Sequence, residues 1–305
     1  MSRPPRRRDN IRRHRGGRAA DDRDLRSRDP GNRDADNRDH RRHHDKRGAR
    51  GDRRGLGGEQ VEGRRAVREL LATARRPVKE VWIAEGLEPS PQLHEIERLA
   101  ARSRAKVVLV GNRRLEALAR TDSAQGVVAL AGPLEETPLE DMCDAGRGSV
   151  PFLLVLDGVS DPQNLGALLR SAECAGVTGV VVPRHRAANV TPTVTKVAAG
   201  AIEHMAMAVV PGVPSALRRL SEHGVLCVGL DAKAETSLFE VGTELDGPVA
   251  LVIGAEDRGL GALSRRRCEI IASIPQHGSL DSLNVSAACA VACFELARRR
   301  GSPSP

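Results

Sequence analysis

The chain has 305 residues, with 48 Lys and Arg against 40 Asp and Glu; residues 1–58 hold 20 of those cations and 10 of those anions, so the formal +8 divides into a tail at +10 and a body at −2. No apolar run reaches the roughly 18–20 residues of a membrane span, and no apolar signal segment follows the basic start, which makes the cytoplasm the expected setting. One Trp, three Phe and no Tyr leave too few rings for a base-stacking platform.

Residues 1–58, polar and rich in Arg, Asp and Gly, bury too little surface to offset the entropy of ordering and are expected to form a disordered basic tail. Apolar spacing then predicts a helix over 61–75, with Val67, Leu70 and Leu71 on one face, and a strand at 81–84. A helix over 91–104 places Leu93, Ile96, Leu99 and Ala100 together, and a strand at 106–110, a helix over 113–119 and a strand at 127–131 complete a small α/β domain, residues 59–133. Residues 134–149 read as a linker. From residue 150 to the end, strands are predicted at 152–156, 179–182, 206–210, 225–229, 249–253 and 269–274. Helices fall near 163–175, 193–201, 214–222, 259–266 and 284–299. Strands rich in Val, Leu and Ile that alternate with helices argue for a parallel sheet covered on both faces. Ligands of such sheets sit beyond the carboxyl ends of the strands.

Familiar cradles are absent. In the segment nearest to a P-loop, 58–65, Arg64 and Arg65 occupy the Lys and Ser/Thr positions; no G-x-G-x-x-G follows a strand and no H-E-x-x-H occurs. The six cysteines form no C-x-x-C pair and no metal spacing with histidine, so no metal is expected, and Cys289 and Cys293 read as buried thiols on the last helix.

Three segments after predicted strands stand out. In LDGVSDPQNLGALLRSAECAGV (156–177), Asp161 and Pro162 form a helix start, Asn164 sits in the first turn and Arg170 almost two turns on. In LVIGAEDRGLG (251–261), three glycines flank Glu256 and Arg258, and closely spaced glycines permit close approach of backbone or ligand. In IPQHGSLDSLNVSAACAV (274–291), Ser282 or Asn284 caps the final helix, and the loop offers unpaired backbone N–H groups. His277 lies in that loop without a paired carboxylate or nucleophile that sequence can place.

Together and in this order, the three segments resemble the SpoU/TrmH branch of the SPOUT RNA methyltransferases. EGRRAVREL (62–70) and QGVVAL (125–130) likewise resemble the family's small substrate-binding domain, although Ala124 stands where the family usually has His. The resemblance implies a C-terminal parallel-sheet SPOUT domain with a trefoil knot, an exception to the usual topology, preceded by a small L30e-like α/β domain. It implies S-adenosyl-L-methionine as cofactor, bound around Gly254, Ile274 and Leu283, with Glu256, Ser282, Asn284, Asn164 and Arg170 on the family's functional polar positions. A homodimer is implied as well. With both domains present, the resemblance points to methylation of a ribose 2′-hydroxyl of a guanosine in 23S rRNA. The rivals are a tRNA guanosine 2′-O-methyltransferase, an rRNA adenosine 2′-O-methyltransferase of the antibiotic-resistance type, and a non-catalytic RNA-binding assembly factor. Arg170 is expected to stabilise developing alkoxide rather than to act as a base, because guanidinium stays protonated. The basic tail is read either as a solubilising extension or as an electrostatic RNA tether.

Overall fold

Gly63, at φ 93°, divides the segment that apolar spacing reads as one helix. The computed structural model describes residues 55–144, 150–185, 189–280 and 282–301. Before Gly63 lies a strand, β1 (Gln60–Glu62), and after it α1 (Arg64–Thr73). The strand escaped the sequence reading because two of its three residues are polar, yet all three are buried. Glu62 has no exposed surface, and its carboxylate accepts from Gln60 Nε2 at 2.7 Å, Arg120 N at 2.7 Å and Thr121 N at 3.1 Å.

There follow β2 (Val78–Ala84), α2 (Pro91–Arg102), β3 (Lys106–Val110), α3 (Asn112–Leu118) and β4 (Val127–Ala131). The sheet order is β1-β4-β2-β3, with β2 and β3 parallel and the other pairs antiparallel. Val67, Leu70, Leu71, Leu93, Ile96 and Leu99 close its core with Val61, Val81 and Val127, as their helical and strand periods require.

The larger sheet comprises β5 (Phe152–Asp157), β6 (Gly179–Pro183), β7 (Ala206–Val210), β8 (Leu226–Leu230), β9 (Thr236–Ser237), β10 (Val249–Gly254) and β11 (Ile270–Ser273). Its order is β7-β6-β5-β10-β8-β11-β9, and every pairing is parallel. The helices are α4 (Pro162–Cys174), α5 (Pro192–Val197), α6 (Val213–Glu222), α7 (Ala262–Arg267) and α8 (Val285–Arg299). Along β5, Leu154 and Leu156 face a cluster with α4 and α8, while Leu153 and Val155 face Leu217 and Leu220 of α6. The sheet is thus covered on both faces, as the Val- and Leu-rich strands predict.

Four expectations change. The two-residue β9 was not foreseen. The helix expected over 193–201 ends at Val197, and Ala199 (φ 52°) and Gly200 (φ 92°) separate it from a 3₁₀ turn, Ala201–Glu203. The tail assigned to 1–58 also ends earlier than sequence implies: Leu56 is buried in the core of the larger sheet, Val190 N donates to Leu56 O at 3.0 Å, and Gly58 N donates to Val190 O at 2.8 Å. Composition missed this because a single Leu among glycines carries no periodicity; residues 1–54 lie outside the described residues. Part of the expected linker is packed too, with Leu139 and Met142 buried against the larger sheet.

The described residues form one compact unit. A buried ion pair joins its two sheets: Arg76 and Glu203 are 3% and 2% exposed, with Nη2–Oε1 at 2.5 Å and Nε–Oε2 at 3.0 Å. The same guanidinium donates to Gly58 O at 2.7 Å and Gly132 O at 2.6 Å, so each of its nitrogens is engaged. Among the described residues, no helix is long and apolar enough to cross a membrane.

Candidate active site

β10, β8 and β11 are neighbours in the larger sheet. Their carboxyl ends open on a cleft of about 470 Å³, lined by residues 230–233 after β8, 253–260 after β10, Ile274 and Gln276 after β11, and Ser282, Leu283, Val285 and Ala288 at the start of α8. Gly254 is needed at the end of β10 because the loop folds back on it. Ala255 and Gly259 exchange backbone hydrogen bonds at 3.1 and 2.8 Å, and a Cβ on Gly254 would lie 2.1 Å from the Gly259 carbonyl carbon. Gly259 itself takes φ 65°, and Gly261, the extended residue that caps α7, is followed by the helix from Ala262.

Gly254, Ile274 and Leu283, the residues expected to bind cofactor, all line this cleft, and Glu256 and Ser282 line it with them. Its walls are apolar where Leu230, Ile253, Leu260, Ile274 and Leu283 meet. The segment 230–233 was not singled out from sequence. The available signal was a polar Asp-Ala-Lys directly after a strand, and Asp231 anchors that loop by accepting from Lys233 N at 2.9 Å and pairing with Arg265.

Three of the expected polar residues converge at the cleft's rim. Asp161 caps α4 by accepting from Asn164 N at 2.7 Å, which fixes Asn164 in the first turn behind Pro162. Asn164 Nδ2 donates to Glu256 Oε2 at 2.9 Å, and Asn284 Nδ2 donates to Glu256 Oε1 at 3.4 Å and to Asn164 Oδ1 at 3.3 Å. Asn284 is meanwhile held as the cap of α8, its Oδ1 accepting from Ser286 N at 2.9 Å. A second cavity, of about 380 Å³, lies on the α4 side of Glu256 and is lined by Gly158, Asp161 and Asn164.

Arg170 stands elsewhere. It is exposed, has no hydrogen-bond or ion-pair partner among the described residues, and lines a third cavity with Glu62, Arg64, Arg65, Gln125 and Lys196. That cavity shares no residue with the cleft. Within one chain, Asn164 braces Glu256.

No cysteine lines the cleft or the other two cavities. Burial pushes the Cys227 thiol far above its ordinary range and the Cys268 thiol up to about 12, and Cys289 and Cys293 lie buried with their sulfurs 3.6 Å apart. Among the described residues, no group of three or more His, Cys, Asp or Glu is placed to hold a metal ion.

Comparison with known proteins bears on this arrangement. Residues 151–294 match the SpoU rRNA Methylase family, and residues 60–137 match a family described as RNA 2′-O ribose methyltransferase substrate binding. The curated 23S rRNA (guanosine-2′-O-)-methyltransferase RlmB of Pseudomonas aeruginosa is 40% identical over 245 residues, 79% of this chain and 97% of its own. The RlmB of Xylella fastidiosa is 39% identical over 243 residues, 79% of this chain and 96% of its own. Among solved structures, the SpoU methyltransferase AviRb from Streptomyces viridochromogenes matches with a TM-score of 0.64 at 26% identity, over 80% of this chain and 90% of its own. A structure described as an RNA 2′-O ribose methyltransferase matches with a TM-score of 0.63 at 26% identity, over 79% of this chain and 88% of its own. Near-complete coverage of relatives at this identity, with both of their parts matched in order, leaves one conclusion: the chain belongs to the SpoU rRNA methylase family.

Proposed function

We propose that this protein is an S-adenosylmethionine-dependent methyltransferase acting on the ribose 2′-hydroxyl of a guanosine in 23S rRNA. The observation that carries the reading is the convergence of Asn164, Glu256 and Asn284, from three separate segments, on the rim of one cleft in a chain 40% identical to a 23S rRNA (guanosine-2′-O-)-methyltransferase. The cleft fits the cofactor. Its volume of about 470 Å³ suits a nucleoside-sized ligand, its walls are partly apolar, and three strand ends supply backbone N–H and C=O groups for a ring edge.

When bound, the cofactor supplies a methyl group carried on a sulfonium. The chain's own residues supply alignment. Leu230, Ile253, Ile274 and Leu283 exclude water, and the Asn164–Glu256–Asn284 set fixes the loop after β10 against the starts of α4 and α8. Both Glu256 oxygens already accept amide protons, which suits it to holding geometry. The ribose hydroxyl must lose a proton as it attacks. Arg170 stabilises the developing alkoxide by donating from its guanidinium, and an RNA phosphate or solvent takes the proton.

Arg170 lines a cavity apart from the cleft of its own chain, and this supports a homodimer in which it serves the partner's cleft. Ala287, Val291 and Phe294 support the same reading, since they leave an apolar face of α8 exposed beside the Asn284 cap. Residues 59–133 act as the L30e-like RNA-binding domain, 134–149 as linker, and 150–305 as the catalytic domain with its trefoil knot. The basic residues N-terminal to Gly55 act as an electrostatic tether to RNA. The enzyme works in the cytoplasm.

The test is to incubate the protein with methyl-labelled S-adenosylmethionine and separate unmodified pools of 23S rRNA, 16S rRNA and tRNA, then identify the labelled nucleoside after digestion. Label recovered as 2′-O-methylguanosine from 23S rRNA alone is the expected result. Label in tRNA, or on adenosine, overturns the substrate, and absence of both label and cofactor binding overturns the enzyme.

A further inference from the structure

The third cavity, of about 480 Å³, opens where the two sheets meet, and four cations line it: Arg64 and Arg65 of α1, Arg170 of α4 and Lys196 of α5. Its one carboxylate, Glu62, is turned away and fully buried against Arg120 N and Thr121 N. Three positive charges are thus left in excess within walls that exclude part of the solvent, which concentrates their field on the cavity.

Two of the cations, Arg64 and Lys196, are aimed by neutral groups. Arg64 Nε donates to the Gln125 carbonyl at 3.1 Å, and Gln125 Oε1 accepts from Arg64 N at 3.1 Å; Lys196 Nζ donates to Thr121 Oγ1 at 3.5 Å. Neither Arg64 nor Lys196 is paired to a carboxylate among the described residues, so both half-buried cations are free to meet an anion. Backbone strain collects at the same place. Of the four described non-glycine residues with positive φ, Gln125 and Ala199 both line this cavity, each at φ 52°. Strain of that kind persists where surrounding structure enforces it, characteristically at binding sites.

We infer that this cavity binds a phosphodiester of the RNA strand, gripped at once by Arg64 of the small sheet and Lys196 of the larger one. The inference rests on the proposed RNA substrate and assigns two backbone-binding residues apart from the cofactor cleft. The Arg64 fork matches two phosphate oxygens and Lys196 adds a point charge. A grip that spans both sheets fixes how far the strand runs between the part read by the small sheet and the ribose presented for methylation. It acts on RNA binding, so KM for RNA carries its effect and kcat does not.

The test compares R64Q/K196Q with R98Q/R218Q, a control that removes equal charge from exposed helix ion pairs with Glu95 and Glu222. Binding of a labelled 23S rRNA fragment is followed by fluorescence anisotropy from 50 to 300 mM salt, with cofactor affinity by calorimetry and thermal melting alongside. R64Q/K196Q is expected to weaken RNA binding at least tenfold at about 0.1 M salt and to flatten the log–log salt slope by about 0.7, the value for one lost phosphate contact on a single strand. Cofactor affinity, melting and kcat stay unchanged, and the control keeps the wild-type slope. An unchanged slope in R64Q/K196Q, or equal flattening in the control, overturns the site. Wild-type protein that binds RNA with this slope yet transfers no methyl group overturns the proposed reaction and leaves the site standing. Wild-type protein that binds no RNA overturns both.

Discussion

Glu256, two residues past the end of β10, accepts a hydrogen bond from the Asn164 amide at 2.9 Å across 92 residues of sequence. Its other oxygen accepts from Asn284, so one exposed carboxylate ties together two helix starts and a loop. Asn164 and Asn284 are positioned by helix caps, and Glu256 is positioned by them. Removing the carboxylate therefore costs geometry at the cleft and little of the fold.

Glu256→Gln places an amide donor where two amide donors already point. It is expected to lower kcat by about 10²-fold, the scale of an ångström-sized misplacement of reacting groups. Global stability should stay within about 0.5 kcal/mol, as at other exposed positions. Single-turnover methylation and urea denaturation on the same preparation check both numbers, and a large fall in stability would recast Glu256 as structural.

Gly254→Ala tests the cleft itself. The added methyl would meet the carbonyl carbon of Gly259 at 2.1 Å and the nitrogen of Leu260 at 2.3 Å, and both are backbone atoms that cannot rotate aside. The loop 255–259 must move outward, at a cost of about 1–3 kcal/mol for overpacking. Calorimetric titration should show S-adenosylmethionine binding weakened at least tenfold, while RNA binding measured by anisotropy holds.

Where apolar periodicity was long, the sequence was legible: α2, β3, β4 and the six longer strands of the larger sheet lie where spacing predicts them, within a few residues. Legibility failed where burial is polar or backbone-driven. β1 hides Glu62 against backbone donors, Leu56 docks through hydrogen bonds to Val190, and α7 starts only after a turn with left-handed Gly259 and an extended Gly261 cap. In the candidate site, Glu256 and Asn284 could be named from their segments. Their union with Asn164 is a long-range contact that no local pattern encodes.

The buried Arg76–Glu203 pair predicts a different response. Glu203→Ala leaves a guanidinium 3% exposed, with only the carbonyls of Gly58 and Gly132 as partners, and should cost about 3–5 kcal/mol in urea unfolding. Removing both charges in R76M/E203L should recover most of that loss, because the penalty lies in the orphaned charge. Equal destabilisation by single and double variants would contradict this.

At the end of α8, hydrogen bonds from Arg298 and Arg299 hold the Glu295 carboxyl down at about 2. A carboxyl lowered by folding contributes stability above its ordinary pKa, near 4.5, and loses that contribution as pH falls toward 2. Glu295→Gln is therefore expected to be less stable than wild type by about 1 kcal/mol at pH 7, the upper range for partly exposed pairs. The gap should close between about pH 4.5 and pH 2. A gap that stays constant across that window would assign the loss to packing of Arg299, which also donates to the carbonyls of Val241 and Phe239.

The separation of Arg170 from Glu256 allows a decisive test of the shared site. Arg170→Ala and Glu256→Ala should each be nearly inactive alone. If Arg170 of one protomer serves the cleft of the other, a mixed dimer contains one cleft with its own Glu256 and the partner's intact arginine. Random re-association of equal amounts then yields half mixed dimers, each with one working site of two, and activity should recover to about one quarter of wild type. If Arg170 serves the cleft of its own chain, neither protomer can be complemented and mixing restores nothing. Phe294→Asp, which sets a charge on the apolar face of α8, should abolish the recovery and give a monomer by light scattering, because desolvating an unpaired carboxylate opposes association. Recovery that survives in a Phe294→Asp background would move the interface away from α8 while keeping the shared site.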